Sequence, residues 1–375
     1  MTKRRWYWLG AAAVAATSLA AAGSAGAGTS APARPAAAVT KVSVQLKWVT
    51  QAQFAGYYAA KAKGFYTAAG LDVTIKPGGP DITPEQVVAS GQAEFGIDWL
   101  PSLLATREKG GKLVNIAQVF TRSGMTELTW KDSGITSVAK MKGKKVGVWC
   151  CGNEFELYAA LTKNGIDPKK SSDVTIVNQP FDMNLFLQRK VDAAAAMTYN
   201  ELAQVLEVKN PKTGKLNQLS DINVISMESA GTAMLEDGIF AQEDWLKSAA
   251  NRATAVKFLG ATFAGWIWCR DNAAECTSIV LKNGPTLGKG HQTWQMNEIN
   301  ALIWPASKGV GVMNPASFNR TAKISQQFGV ITKAPSGAYR TDLAKQAVAA
   351  IKAQGLDPVG KGWKKATVKV TAGGK

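Results

Sequence analysis

The sequence holds one histidine in 375 residues, and that scarcity removes much of the catalytic repertoire. A His-based metal cage cannot be built, and a Ser-His-Asp or Cys-His mechanism would have to rely on His291 alone. No Gly-x-Ser-x-Gly elbow occurs. Lys142-Gly143-Lys144-Lys145 lacks the spaced glycines and the Ser/Thr of a phosphate loop, and reads as a solvated turn. Glu154 and Glu156 stand two apart on an expected helix and do not face each other. No catalytic residue, metal site or cofactor is therefore expected.

Acidic residues are also scarce, with 27 Asp and Glu against 44 Lys and Arg, a net charge of +17. Lys3, Arg4, Arg5 and Arg34 lie in an acid-free N-terminal stretch, which leaves +13 for the body. No dense basic block with interleaved aromatics is present, so the excess is read as distributed surface, and no nucleic-acid partner is expected. A composition 46% hydrophobic and 19% charged excludes a disordered or fibrous chain, and the length suggests two domains.

Cysteine is missing before Cys150, so no lipid-modified N-terminal cysteine is available. The start nonetheless reads as an export signal. Lys3, Arg4 and Arg5 form a charged region, Trp6 to Ala22 is apolar, and Ala25-Gly26-Ala27 offers small residues for cleavage. Residues 1–27 are expected to be a signal peptide and 28–40 a flexible spacer, which places the protein in the periplasm or at the cell surface or beyond. The paired arginines suit Sec or twin-arginine export. Export permits disulfides. Cys269 and Cys276 fall in a helical pattern, where seven residues rise roughly 10 Å, beyond the span of about 7 Å for bridged Cα atoms. Either the helix breaks near Asp271-Asn272 and a bridge forms, or both thiols are buried. Cys150-Cys151 form a strained ring or stay reduced.

From Lys41 short strand patterns alternate with helical ones, which predicts α/β architecture. Strands are expected at 41–48, 71–76 and 94–99, then at 144–149, 174–177 and 193–197, with helices between them. Thr83-Pro84-Glu85-Gln86 reads as a capping-box helix start. After Asp237 the pattern is mostly helical, at 245–269, 274–282, 293–303, 315–328 and 342–354. The lysine-rich 361–375 reads as an exposed terminus.

Trp48, Trp99 and Trp149 each fall at the C-terminal end of an expected strand, and Tyr199 just past another. Ligands of open α/β sheets bind outside those ends, so the four aromatics should converge on a pocket for a flat, conjugated ligand. Gln51, Gln53, Asp98, Asn153, Glu154 and Asn200 accompany them and can satisfy the polar edge of a heterocycle. Asn153 reads equally as a helix cap and Asp98 as a turn residue. Glu236 reads as a ligand contact or part of a hinge salt bridge.

The stretches 44–58, Phe95-Gly96-Ile97-Asp98-Trp99, Val146-Gly147-Val148-Trp149 with Gly152-Asn153-Glu154, and Ala196-Met197-Thr198-Tyr199-Asn200-Glu201 together resemble bacterial solute-binding proteins of ABC importers. The branch is similar to fungal thiamine-pyrimidine synthase, with members that bind riboflavin or pyrimidine precursors of thiamine. The resemblance implies an α/β, two-lobed periplasmic-binding-protein fold (type II-like) with a ligand cleft between lobes. Lobe one would span 41–135 and 237–375, and lobe two 136–236. It further implies a monomer that captures a small heteroaromatic ligand and delivers it to ABC permease subunits. The synthase branch uses an active-site histidine, a lysine-bound pyridoxal phosphate and a cysteine-rich iron motif. This chain has no histidine in the matched stretches and no cysteines beyond the Cys150-Cys151 pair there, so no enzyme activity is expected. Other relatives bind sulfonate- or nitrate-type anions, for which Arg122 and Ser123 would supply the contact.

Overall fold

The computed structural model describes residues 39–375. The expected signal peptide and nearly all of the spacer lie outside the described residues. Among the described residues, ten strands form two five-stranded sheets. The first combines β1 (Thr40–Gln45), β2 (Leu71–Lys76), β3 (Phe95–Asp98), β4 (Leu113–Gln118) and β10 (Gly238–Gln242) in the order β2-β1-β3-β10-β4. The second combines β5 (Met125–Trp130), β6 (Lys145–Val148), β7 (Thr175–Asn178), β8 (Ala193–Met197) and β9 (Ile222–Ser226) in the order β7-β6-β8-β5-β9. In each sheet four strands run in one direction and one, β10 in the first and β5 in the second, lies antiparallel between two of them.

Each sheet is the floor of one lobe, and the chain crosses between them twice, after β4 and after β9. Because β5 hydrogen-bonds to β8 and β9, the first crossing falls between Gln118 and Met125, earlier than the boundary near 135 that the resemblance implied. Hydrophobic alternation builds β1, where Val42, Val44 and Leu46 are buried on one side. In contrast β8 is Ala-Ala-Ala-Ala-Met, buried throughout, as a central strand covered on both faces must be.

The helices after β10 complete lobe one. The pattern 245–269 resolves into a short turn at Trp245–Lys247 and a long helix, Ala249–Asp271, started by the Ser248 hydroxyl accepting the Asn251 N–H at 3.4 Å. The helix Ala55–Ala62 packs on it so closely that a Cβ on Gly56 would lie 2.2 Å from the Trp266 ring. The long helix ends at Asp271 and the next begins at Ala273. That break brings the Cα atoms of Cys269 and Cys276 to 5.1 Å, and they are bridged. Cys150 and Cys151 are bridged as well.

Two local expectations change. The helix at Pro84 starts where the sequence places it, but the Thr83 side chain does not cap it. The Thr83 carbonyl already takes the Gln86 N–H at 3.0 Å. The terminal segment is exposed along much of its length yet anchored: Ala366 and Asn297 exchange two hydrogen bonds, Lys365 pairs with Glu298, and the Gly373 N–H reaches the Glu207 carbonyl in lobe two at 3.0 Å. Val370 packs against the lobe-two core. Among the described residues no helix is long and apolar enough to cross a membrane.

Candidate functional site

The C-terminal ends of β1, β3, β6 and β8 face one another across the two lobes. A narrow cavity of about 50 Å³ lies between them. Lobe one contributes Lys47, Trp48, Gln51, Gln53 and Trp99; lobe two contributes Trp149, Asn153, Phe181, Met197, Tyr199, Asn200 and Glu201. A wider cavity of about 730 Å³ adjoins it and shares Lys47, Trp48, Asn153 and Phe181.

The lobe-one wall is held by a buried polar network. Asp237, where β10 begins, accepts the Trp99 Nε1–H at 3.1 Å and the Gln53 Nε2–H at 2.8 Å, and Gln51 donates to Gln53 at 2.7 Å. Gln292 and Gln295, from the helix Lys289–Ile303, accept the Ala52 and Gln53 N–H groups. The indole of Trp99 and the amide of Gln53 are thus fixed in place before any ligand arrives. Lys47 pairs with Asp98, with its ammonium 5.1 Å from the Trp99 ring centre. Burial by itself would lower Lys47; Asp98 outweighs it and holds the ammonium above its ordinary range. Burial pushes Asp237 up to about 6, against the pull of the Gln53 hydrogen bond.

On the lobe-two wall the Trp149 Nε1–H donates to the Pro180 carbonyl at 3.3 Å. The next residue, Phe181, meets Trp48 across the cleft edge-on, with ring centres 4.3 Å apart. Glu201 accepts the Met197 N–H at 2.9 Å and the Asn200 Nδ2–H at 2.6 Å. Burial raises it to about 7. Burial likewise raises the Tyr199 phenol well above its usual range.

Of the residues expected at the site, Trp48, Gln51, Gln53, Trp99, Trp149, Asn153, Tyr199 and Asn200 come together on the slot. Asp98 and Glu154 line the wider cavity, where Asp98 holds Lys47 and Glu154 takes the Gly152 N–H at 2.9 Å. Three do not line either cavity. Arg122 spends its guanidinium on Thr121 and on the carbonyls of Ala301, Leu302, Trp304 and Pro305, bracing the first crossing. Ser123 and Glu236 form a hinge. The Ser123 hydroxyl lies 2.8 Å from both Glu236 and Glu156, and Glu236 also accepts the Gly124 N–H. One hydroxyl proton cannot serve two carboxylates, so this pair retains a proton. Burial holds Glu156 up to about 8 and Glu236 well above its ordinary value.

Lys47, Phe181 and Met197 were not counted from the sequence, whereas Glu201 follows Tyr199 and Asn200 in it. Phe181 lies three residues past β7, so the strand-end rule that found the tryptophans would have found it. Lys47 alternates with the buried face of β1 and reads as solvent-facing until Asp98 is placed beside it.

A family model described as "NMT1/THI5 like" matches residues 51–276. The riboflavin-binding protein RibY of Chloroflexus aurantiacus is 24% identical over 317 residues, covering 81% of this chain and 86% of its own. The 4-amino-5-hydroxymethyl-2-methylpyrimidine phosphate synthase THI11 of Saccharomyces cerevisiae is 29% identical over 192 residues, 50% of this chain. This chain spans 54% of that enzyme's length, and the same share of a Haemophilus influenzae protein named for thiamine biosynthesis. Among solved structures, the periplasmic aliphatic sulphonate binding protein SsuA of Escherichia coli superposes with a TM-score of 0.58 at 16% identity, covering 88% of this chain and 96% of SsuA. The two-lobed fold is that of periplasmic binding proteins.

Proposed function

Because this chain belongs to the NMT1/THI5-like family, we propose that it is an exported solute-binding protein that captures a small heteroaromatic vitamin or precursor and delivers it to an ABC importer. The observation that carries this reading is the slot itself, with aromatic rings from both lobes lining one narrow gap. Only a ligand in the gap touches both walls, so binding favours the closed form that a permease recognises. Offset stacking on such rings contributes about 0.5 to 1.5 kcal/mol per contact beyond area burial.

The adjoining cavity favours an extended ligand over a single pyrimidine, with the ring in the slot and a polar remainder outside it. Riboflavin has that shape. An anion finds less support, since Lys47 is the one cation among the slot-lining residues and is already paired with Asp98. The synthase reading is also less supported, because His291 does not line the slot.

A thermal-shift screen with riboflavin, hydroxymethylpyrimidine, thiamine and taurine tests the reading. At about a hundredfold its Kd, a ligand adds about 2.7 kcal/mol to stability. A shift with a heteroaromatic compound and unchanged compound on recovery is the expected result. Conversion of the compound, or a shift with taurine alone, would replace this reading with the enzyme or the anion alternative.

A further inference from the structure

His291 stands outside the slot but reaches a residue that lines it. It lies in the first turn of the helix Lys289–Ile303 in lobe one and bridges to lobe two. Its Nε2 is 2.8 Å from Asn200 Oδ1 and its Nδ1 is 2.9 Å from Glu207 Oε1. The orientation of Asn200 is set separately, since its Nδ2 donates to Glu201. Both ring nitrogens therefore face oxygen acceptors. A neutral imidazole carries one N–H and would turn a lone pair against one of these oxygens, whereas the imidazolium donates to both.

We propose that protonated His291 is a positioning residue: it clasps the lobes and fixes the Asn200–Glu201 pair so that Glu201 accepts a ring N–H or amino group of the ligand. The inference rests on the slot being the ligand site. A carboxylate has about four acceptor positions, and the Glu201 contacts to Met197 and Asn200 leave some for the slot it lines. Glu207 pairs with His291 and Glu201 feels its charge, both from lobe two; Lys289 stands two residues earlier on its own helix, and a Cβ on Gly374, next to the terminal Lys375, would lie 2.8 Å from the His291 Cβ and 2.9 Å from Glu207 Oε2.

Lowering the pH protonates Glu201, which sits near 7, and removes the acceptor. Affinity for a ligand with an N–H donor should therefore fall on the acid side.

Two measurements on the exported chain, made without a histidine tag, test this. Riboflavin, an N–H donor, is titrated by fluorescence from pH 5 to 9 against the wild type and the variants His291→Leu, His291→Gln and Glu201→Gln. The Leu variant should bind about tenfold more weakly. The Gln variant, which keeps a side-chain donor, should recover part of the affinity, and Glu201→Gln should lose the acid limb. The second measurement needs no ligand: the ¹⁵N shifts of the single imidazole at pH 6 should show a proton on both ring nitrogens. A neutral, single-tautomer ring at that pH, or wild-type affinity in His291→Leu, overturns the proposal. Failure of riboflavin to bind a protein whose imidazole is doubly protonated would count against the ligand assignment and not against the clasp.

Discussion

Trp48 and Trp149 approach the slot from opposite lobes, Trp48 half-buried against Phe181 and Trp149 tied to the Pro180 carbonyl. Removing either ring deletes stacking and apolar contact while leaving both sheets paired. Trp48→Ala and Trp149→Ala are each expected to weaken ligand binding about 10- to 100-fold with an unchanged far-ultraviolet circular dichroism spectrum. Normal binding by both variants would show that the strand-end aromatics do not form the site. These positions were legible in the sequence because an aromatic at the end of a parallel strand has one place to go. Arg122 and Ser123, expected to contact an anion, and Glu236, expected at the ligand or in a hinge, bond instead to backbone groups and buried carboxyls at the lobe crossings; polar residues at a crossing look like ligand contacts until their partners are known.

The strands that the pattern revealed, β1 to β3 and β6 to β8, have Val, Ile or Ala runs next to turn residues. Among those it did not reveal, β4 and β5 carry buried polar side chains that a pattern assigns to solvent. Asn115 and Gln118 of β4 are buried and hydrogen-bonded to each other. Glu127 of β5 is buried with neither oxygen partnered, and burial holds its carboxyl well above the ordinary range. With β5 hidden in this way went the position of the first crossing. The helices fared better, since their apolar spacing survives burial. The bridged turn between the helices ending at Asp271 and starting at Ala273 carries its own test. Replacing Cys269 and Cys276 by Ser opens a short loop, and the chain-entropy model gives a loss of about 2 to 3 kcal/mol. A urea denaturation curve indistinguishable from that of the wild type would contradict a structural bridge.

At the scale of the molecule, two crossings, the His291 clasp and the anchored terminal segment join the lobes, and several carboxyls are buried at this junction. Asp237, Glu201 and Glu156 stand near 6, 7 and 8 when folded, against about 4 in an unfolded chain. Across that window the folded protein binds more protons than the unfolded one, so stability declines as pH rises. The ligand-free protein should lose several degrees of Tm between pH 5 and pH 8. Glu156→Gln should recover part of that loss above pH 7, because the amide stays neutral where the carboxyl must ionise. A Tm that rises with pH would show that these groups are ionised at little cost.

The central claim, that the interlobe slot binds one small heteroaromatic molecule, is tested most directly by isothermal titration calorimetry of the protein with riboflavin. One site per chain, with a negative heat-capacity change from burial of the aromatic walls, is the expected result. An absence of binding heat at every temperature tried, for riboflavin and equally for hydroxymethylpyrimidine and thiamine, would contradict it.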